Sequence, residues 1–180
     1  KIYIAGVGPL MTEVAAEVGD GYFLHPFNTA LSTDELSLAA ITRGLDKSGK
    51  SRADYEVSAQ VITATGLDEE SMQTAIASAR NQIAFYASTP AYLPVLQCHG
   101  WESLQADANQ MMRAGKWTQL NDLIDDDILN TFAVVGTPAE VAQKIAARYR
   151  GKVERISPVV YQPDVALLAE LRCQISSAVN

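Results

Sequence analysis

The chain has 180 residues, 48% of them hydrophobic and 19% charged, and a formal net charge of −7. That is the make-up of a single globular domain with a sizeable core, and its acidic balance excludes nucleic acid or an anionic membrane as expected partners, since each would be repelled on average. No apolar run approaches the ~20 residues of a bilayer span and no charged-then-apolar leader opens the chain, so the expected location is cytoplasmic. Cys98 and Cys173 are too few and too far apart in sequence for a disulfide scaffold or a metal knuckle, and both are expected to be reduced and buried or inert.

The first stretch, Lys1 to Asn28, changes its hydrophobic period from two to 3.6 across a glycine turn. Ile2, Tyr3 and Ile4 are β-prone, Gly6-Val7-Gly8-Pro9 breaks the strand, and Met11, Val14, Ala15 and Val18 follow at helical spacing. Gly8 permits backbone angles closed to other residues, and Pro9 suits a first helical position. A helix N-terminus therefore follows, where unpaired amides and the positive end of the dipole suit a phosphate. Gly19 and Asp20-Gly21 stop the helix, and Tyr22, Phe23 and Leu24 begin a second strand ending at His25-Pro26. The dinucleotide fingerprint with three glycines is absent, because Pro9 follows Gly8 directly.

Further along, Ser32-Thr33-Asp34-Glu35 reads as a capping box opening a helix with Leu36, Leu38, Ala39, Ile41 and Leu45 on its apolar face. Gly44, Gly49, Lys47, Lys50 and Arg52 mark its polar exit, where the basic residues complement the helix C-terminus. Tyr55 to Ile62 makes a third strand, ending at Thr65-Gly66, and Asp68 caps a helix of about twenty residues through Tyr86. The segment 88–132 holds short helical stretches and no convincing strand, the pattern of a helical insertion that serves as a lid or cover. Thr137-Pro138-Ala139-Glu140 is a second capping box, and its helix ends at Gly151. Val153 to Val160 supplies a fourth strand, and Val165 to Leu171 a closing helix.

The pattern IYIAGVGPLMTEVAAEVGDGYFLHPF resembles the luciferase-like monooxygenase family, and more narrowly its branch of deazaflavin (coenzyme F-420) dependent oxidoreductases. IAFYASTPAY, LIDDDIL, FAVVGTPAEVAQKI and VERISPVVY are similar to that branch in the same order. The resemblance implies an α/β fold of (β/α) TIM-barrel type, with deazaflavin coenzyme F-420 or FMN bound at the C-terminal ends of the strands. It also implies that the backbone around Gly6, Val7 and Gly8 holds the cofactor's phosphate tail. A whole barrel needs ~250 residues and eight strands, whereas the periodicity yields about four. The expectation is thus a single domain, 1–180, forming the C-terminal half of such a barrel, either as a fragment or completed by another chain.

In alternating strand-helix chains the reacting groups sit where strands end, here Gly6 to Gly8, His25 to Asn28, Thr63 to Gly66 and Tyr161-Gln162. His25 reads two ways: an imidazole that orients substrate, moves a proton or meets a flavin-type ring, or a histidine satisfied by a backbone carbonyl. The resemblance favours the first and makes His25 the candidate catalytic residue. Asn28, Tyr86, Tyr92 and His99 are candidates for a substrate pocket, with Trp101 beside them; the alternative is that the aromatics pack the insertion's own small core. No metal site is expected: His25 and His99 are the only histidines, and Asp125-Asp126-Asp127 lacks calcium-loop spacing. No Gly-x-Ser-x-Gly elbow is present.

Two functions follow as expectations. One is a flavin- or deazaflavin-dependent oxidoreductase acting on a small organic substrate by hydride transfer or oxygenation. The other is a non-catalytic half-barrel that works as a binding or structural module by pairing with a second copy or with the missing N-terminal half. A half-barrel leaves sheet edges and an apolar face open, so an isolated monomer is expected to be unstable.

Overall fold

The computed structural model describes residues 1–161 and 163–179; Gln162, one of the strand-end positions above, lies outside them. Among the described residues one parallel sheet is flanked by helices. Its strands are β1 (Tyr3–Ala5), β2 (Gly21–Leu24), β3 (Glu56–Ala64), β4 (Val134–Val135) and β5 (Arg155–Val160). Sequence periodicity anticipates all of these except β4, which is two residues long and too short to carry a period.

The register explains how the sheet is assembled. β2 runs beside the first part of β3, Gly21 opposite Glu56 and Leu24 opposite Ala59, while β5 runs beside Ser58 to Thr63. Thr63 is opposite both Val134 and Val160. A strand residue has one neighbour on each side, so β4 must share the β2 edge of β3, leaving the edge open between them. The side chain of Asn28 fills that opening, donating from Nδ2 to Gln60 O at 3.1 Å.

Side-chain alternation along β3 sorts the layers. Val57, Ala59 and Val61 join Tyr22 and Leu24 of β2 under helices α1 (Pro9–Val18), α3 (Ala39–Ser48), α8 (Pro138–Tyr149) and α9 (Val165–Val179). Ile62 and Ala64 face the other way, into a second core with Phe27 and the helices α4 (Glu69–Ala87), α5 (Leu93–Gln97), α6 (Glu102–Arg113) and α7 (Asp126–Phe132). The helix α4 thus packs with the 88–132 excursion at the strand ends.

Three local expectations need correction. The helix after β2 begins at Ala30, not after Ser32: Thr29 is the cap, its side chain accepting the Ser32 amide at 3.0 Å, and one α-turn, α2 (Ala30–Ser32), runs into a π-helix, Thr33–Leu38. Gly44 is not an exit marker but a contact point, since a Cβ there would lie 2.2 Å from Glu13 O of α1. Lys50 serves α1 rather than its own helix, Nζ donating to Gly19 O at 2.7 Å, whereas Lys47 stands in the last turn of α3 as expected and pairs with Glu13 of α1 as well.

The helix α1 buries Thr12, Ala15 and Ala16, whereas Leu10 (73% exposed), Val14 (39%) and Val18 (64%) form a bare stripe one turn apart. Among the described strands, β1 pairs with β2 alone, at one end of the sheet. Both cysteines are free, Cys98 half-buried and Cys173 exposed. Among the described residues no helix is long and apolar enough to cross a membrane.

Candidate functional site

Gly6 to Pro9 turn the chain from β1 into α1 at the C-terminal end of the strand layer. Gly8 has φ +82 and ψ 158, and it precedes α1 without any side-chain cap. This region of backbone space is essentially restricted to glycine. The Gly6 and Gly8 carbonyls are already engaged from within. Tyr22 Oη donates to Gly6 O at 2.6 Å, while Thr12 donates to Gly8 O from its amide at 3.1 Å and from Oγ1 at 3.0 Å. What the corner still offers is N–H groups at the positive end of a helix, and an added Cβ at Gly8 would meet open space. This donor set fits an anion such as the phosphate end of a cofactor, which accepts and does not donate.

The corner forms one wall of a cavity of about 40 Å³. Gly6, Val7, Gly8, His25, Asn28 and Tyr92 all line it. Its size suits the end of a ligand rather than a fused ring system. None of its lining side chains is formally charged apart from the titratable His25, so an anion there would rest on neutral donors and the helix dipole.

His25 ends β2 with its imidazole folded back on its own turn, Phe27 N–H donating to Nδ1 at 3.1 Å. Its Nε2 lies 3.0 Å from Tyr92 Oη, and the two rings stack with centroids 4.7 Å apart. Burial pushes the His25 pKa below the ordinary imidazole range. Tyr86 stands edge-on to His25 at 4.8 Å, behind the ring and away from the cavity lining. His99 sits elsewhere: its Nε2 is 2.9 Å from Thr29 Oγ1 and its ring stacks on Trp101 at 4.7 Å. Asn28 is buried with its amide engaged by the protein. Nδ2 donates to His25 O and Gln60 O, and Oδ1 accepts from Thr33 Oγ1 and Tyr149 Oη.

The structure therefore gathers most of the candidate residues at one cavity and sets Tyr86 and His99 outside its lining. It adds Thr12 and Tyr22, which sequence reading passed over as helix and strand interior. Thr12 lies one helical turn after Gly8, a spacing that places its hydroxyl against the Gly8 carbonyl. At the other strand ends, Thr65 Oγ1 and Tyr161 Oη are buried without a hydrogen-bond partner among the described residues. Among the described residues no cluster of His, Cys, Asp or Glu is arranged to hold a metal.

Parallel strands, helices on the sheet and a site at the strand C-termini define a partial barrel of the (β/α) type. The chain belongs to the luciferase-like monooxygenase family, whose match covers residues 1–155. It is 42% identical over 159 residues to the uncharacterized protein Rv1360 of Mycobacterium tuberculosis, an alignment covering 88% of this chain and 47% of that protein. It is 31% identical over 151 residues to the 5,10-methylenetetrahydromethanopterin reductase of Archaeoglobus fulgidus, covering 80% and 43%. In fold it matches the coenzyme F-420 dependent tetrahydromethanopterin reductase of Methanopyrus kandleri, with TM-score 0.73, 24% identity and coverage of 96% and 48%. It also matches an F-420-dependent secondary alcohol dehydrogenase in complex with an F-420-acetone adduct, with TM-score 0.65, 16% identity and coverage of 99% and 48%. The chain spans about half the length of the relatives it matches.

Proposed function

We propose that the chain is the phosphate-holding half of a deazaflavin-dependent oxidoreductase that transfers hydride between coenzyme F-420 and a small organic substrate. The observation that carries this reading is the Gly6–Gly8 corner, where Tyr22 and Thr12 engage the Gly6 and Gly8 carbonyls and, among the described residues, no acceptor is recorded for the amides at the start of α1. The deazaflavin ring, when bound, supplies the hydride chemistry. The part of this chain is to hold the phosphate tail through Gly6, Val7 and Gly8, and to shape one wall of the pocket through His25, Asn28 and Tyr92. Tyr86 and His99 act from behind, Tyr86 against the His25 ring and His99 on the Thr29 cap. FMN, which also ends in a phosphate, is the alternative cofactor. F-420 is preferred because the names of the related enzymes specify it.

The bare stripe Leu10, Val14 and Val18 of α1, and the unpaired outer side of β1 among the described strands, favour a further element of the reading. That surface is where a barrel of this kind continues, so an N-terminal half-barrel or a second copy covers it. The same stripe supports the competing function, a non-catalytic half-barrel that works by pairing alone. Fluorescence titration of the chain with F-420 and with FMN, alongside sedimentation, separates the two. Saturable uptake of F-420 is expected; pairing with no uptake of either cofactor overturns the redox reading and favours the module.

A further inference from the structure

The hydrogen bonds around His25 determine which way its protons point. Phe27 N–H can only donate, so Nδ1, 3.1 Å away, must carry the lone pair. A neutral imidazole then bears its proton on Nε2, the nitrogen 3.0 Å from Tyr92 Oη. The Tyr92 oxygen is thereby the acceptor of this bond. The rings stack, so the His25 nitrogen lies on the face of the phenol rather than in its plane, and the phenolic proton keeps an in-plane position of its own. Among the described residues no protein acceptor is recorded for it. Tyr92 and the glycine corner line the same small cavity.

We infer that Tyr92 is a ligand-binding residue whose hydroxyl donates to a phosphate oxygen held at the Gly6–Gly8 corner, with His25 as the residue that positions it. The inference rests on the redox reading above and assigns it a side-chain donor. It also gives His25 a definite role. Both ring nitrogens are committed, one to the Phe27 amide and one to Tyr92, so the imidazole orients the phenol and does not exchange protons with substrate. The site is reached from two parts of the chain: His25 from the end of β2, and Tyr92 from the short helical turn Pro90–Tyr92 that leads into the helical excursion. Docking of that excursion onto the strand ends thus completes the phosphate site.

Two measurements on the intact chain test this. Long-range proton–nitrogen correlation spectra of the histidine ring report the tautomer without any ligand. His25 is expected as neutral Nε2–H at pH 7, and an Nδ1–H or doubly protonated ring overturns the inference. Fluorescence titration with F-420 then compares the unmodified chain with Tyr92→Phe and His25→Gln. Tyr92→Phe keeps the stacked ring and is expected to lose about tenfold in affinity, as one donor to an anion would. His25→Gln retains an amide donor and is expected to lose less. A deazaflavin lacking the phosphate tail should bind the unmodified chain and Tyr92→Phe equally. Equal F-420 affinity for Tyr92→Phe overturns this inference while the redox reading stands; no uptake by the unmodified chain overturns both.

Discussion

Asn28 Oδ1 accepts a hydrogen bond from Tyr149 Oη at 2.8 Å, across 121 residues of sequence. The bond joins the loop after β2 to the last turn of α8, and the other end of the same amide bridges the open edge between β2 and β4. Removing the side chain in Asn28→Ala takes the acceptor from the buried Tyr149 hydroxyl and the Thr33 hydroxyl, and the donor from the part-buried Gln60 carbonyl. The expected loss is about 2–4 kcal/mol, because orphaned buried polar groups carry their full desolvation cost. Urea unfolding checks it, and a loss within about 0.5 kcal/mol, the range of ordinary surface substitutions, contradicts it.

Gly8 holds φ +82 with nothing near its absent Cβ. Gly8→Ala therefore costs backbone strain without a clash, roughly 1–3 kcal/mol. Thermal unfolding should register the loss, and a variant as stable as the parent would show that the corner relaxes into an ordinary conformation.

Glu56 anchors the opposite end of the sheet. Its carboxylate accepts from Lys1, Tyr3 and Arg155, and these bonds, with that from Lys1 first, hold its pKa down to about 2. The unfolded chain takes up this proton near an ordinary carboxylate value of about 4.3. The contribution is thus complete above that value and is lost as the pH falls toward 2. Acid unfolding followed by circular dichroism should begin in this window, and Glu56→Gln should flatten that part of the curve. An unchanged curve in the variant would remove Glu56 from the account.

The half-buried imidazoles act at higher pH. Burial lowers the pKa of both His25 and His99, although Asp127 and Glu35 partly counteract this at His99. The unfolded chain binds those protons first, near ~6.5, so stability is full above that value and declines as the pH falls below it. Melting temperatures recorded from pH 8 to pH 5 should fall, less steeply in His25→Gln. A flat profile for the parent would contradict the burial of these rings.

What was legible in the sequence was whatever is decided within a few residues. The Asp68 and Thr137 caps appear where the sequence places them, because a capping bond spans three residues and needs no distant partner. The parallel strands β1, β2, β3 and β5 and the Gly-Pro corner were legible for the same reason. The two residues of β4 were not, since they pair through register with Thr63 and Ala64 rather than through a pattern of their own. Nor was the partnering of α1: its apolar residues cover two faces, and tight contact at Gly44 selects the small side chains Ala15 and Ala16 for burial, leaving Leu10, Val14 and Val18 outside. At the site, the residue types at the strand ends were readable. That His25 is closed by its own turn and directed at Tyr92, 67 residues away, depends on tertiary docking.

The proposed seat of the cofactor's phosphate is the set of amides at the start of α1. Gly49 provides a matched control, because it too has positive φ (+69) and open space at its Cβ, but it closes α3 away from the cavity lining. The decisive measurement is the F-420 affinity of Gly8→Val against that of Gly49→Val. The account predicts a loss of tenfold or more for Gly8→Val and parent-like binding for Gly49→Val, whereas equal affinities in the two variants would contradict it.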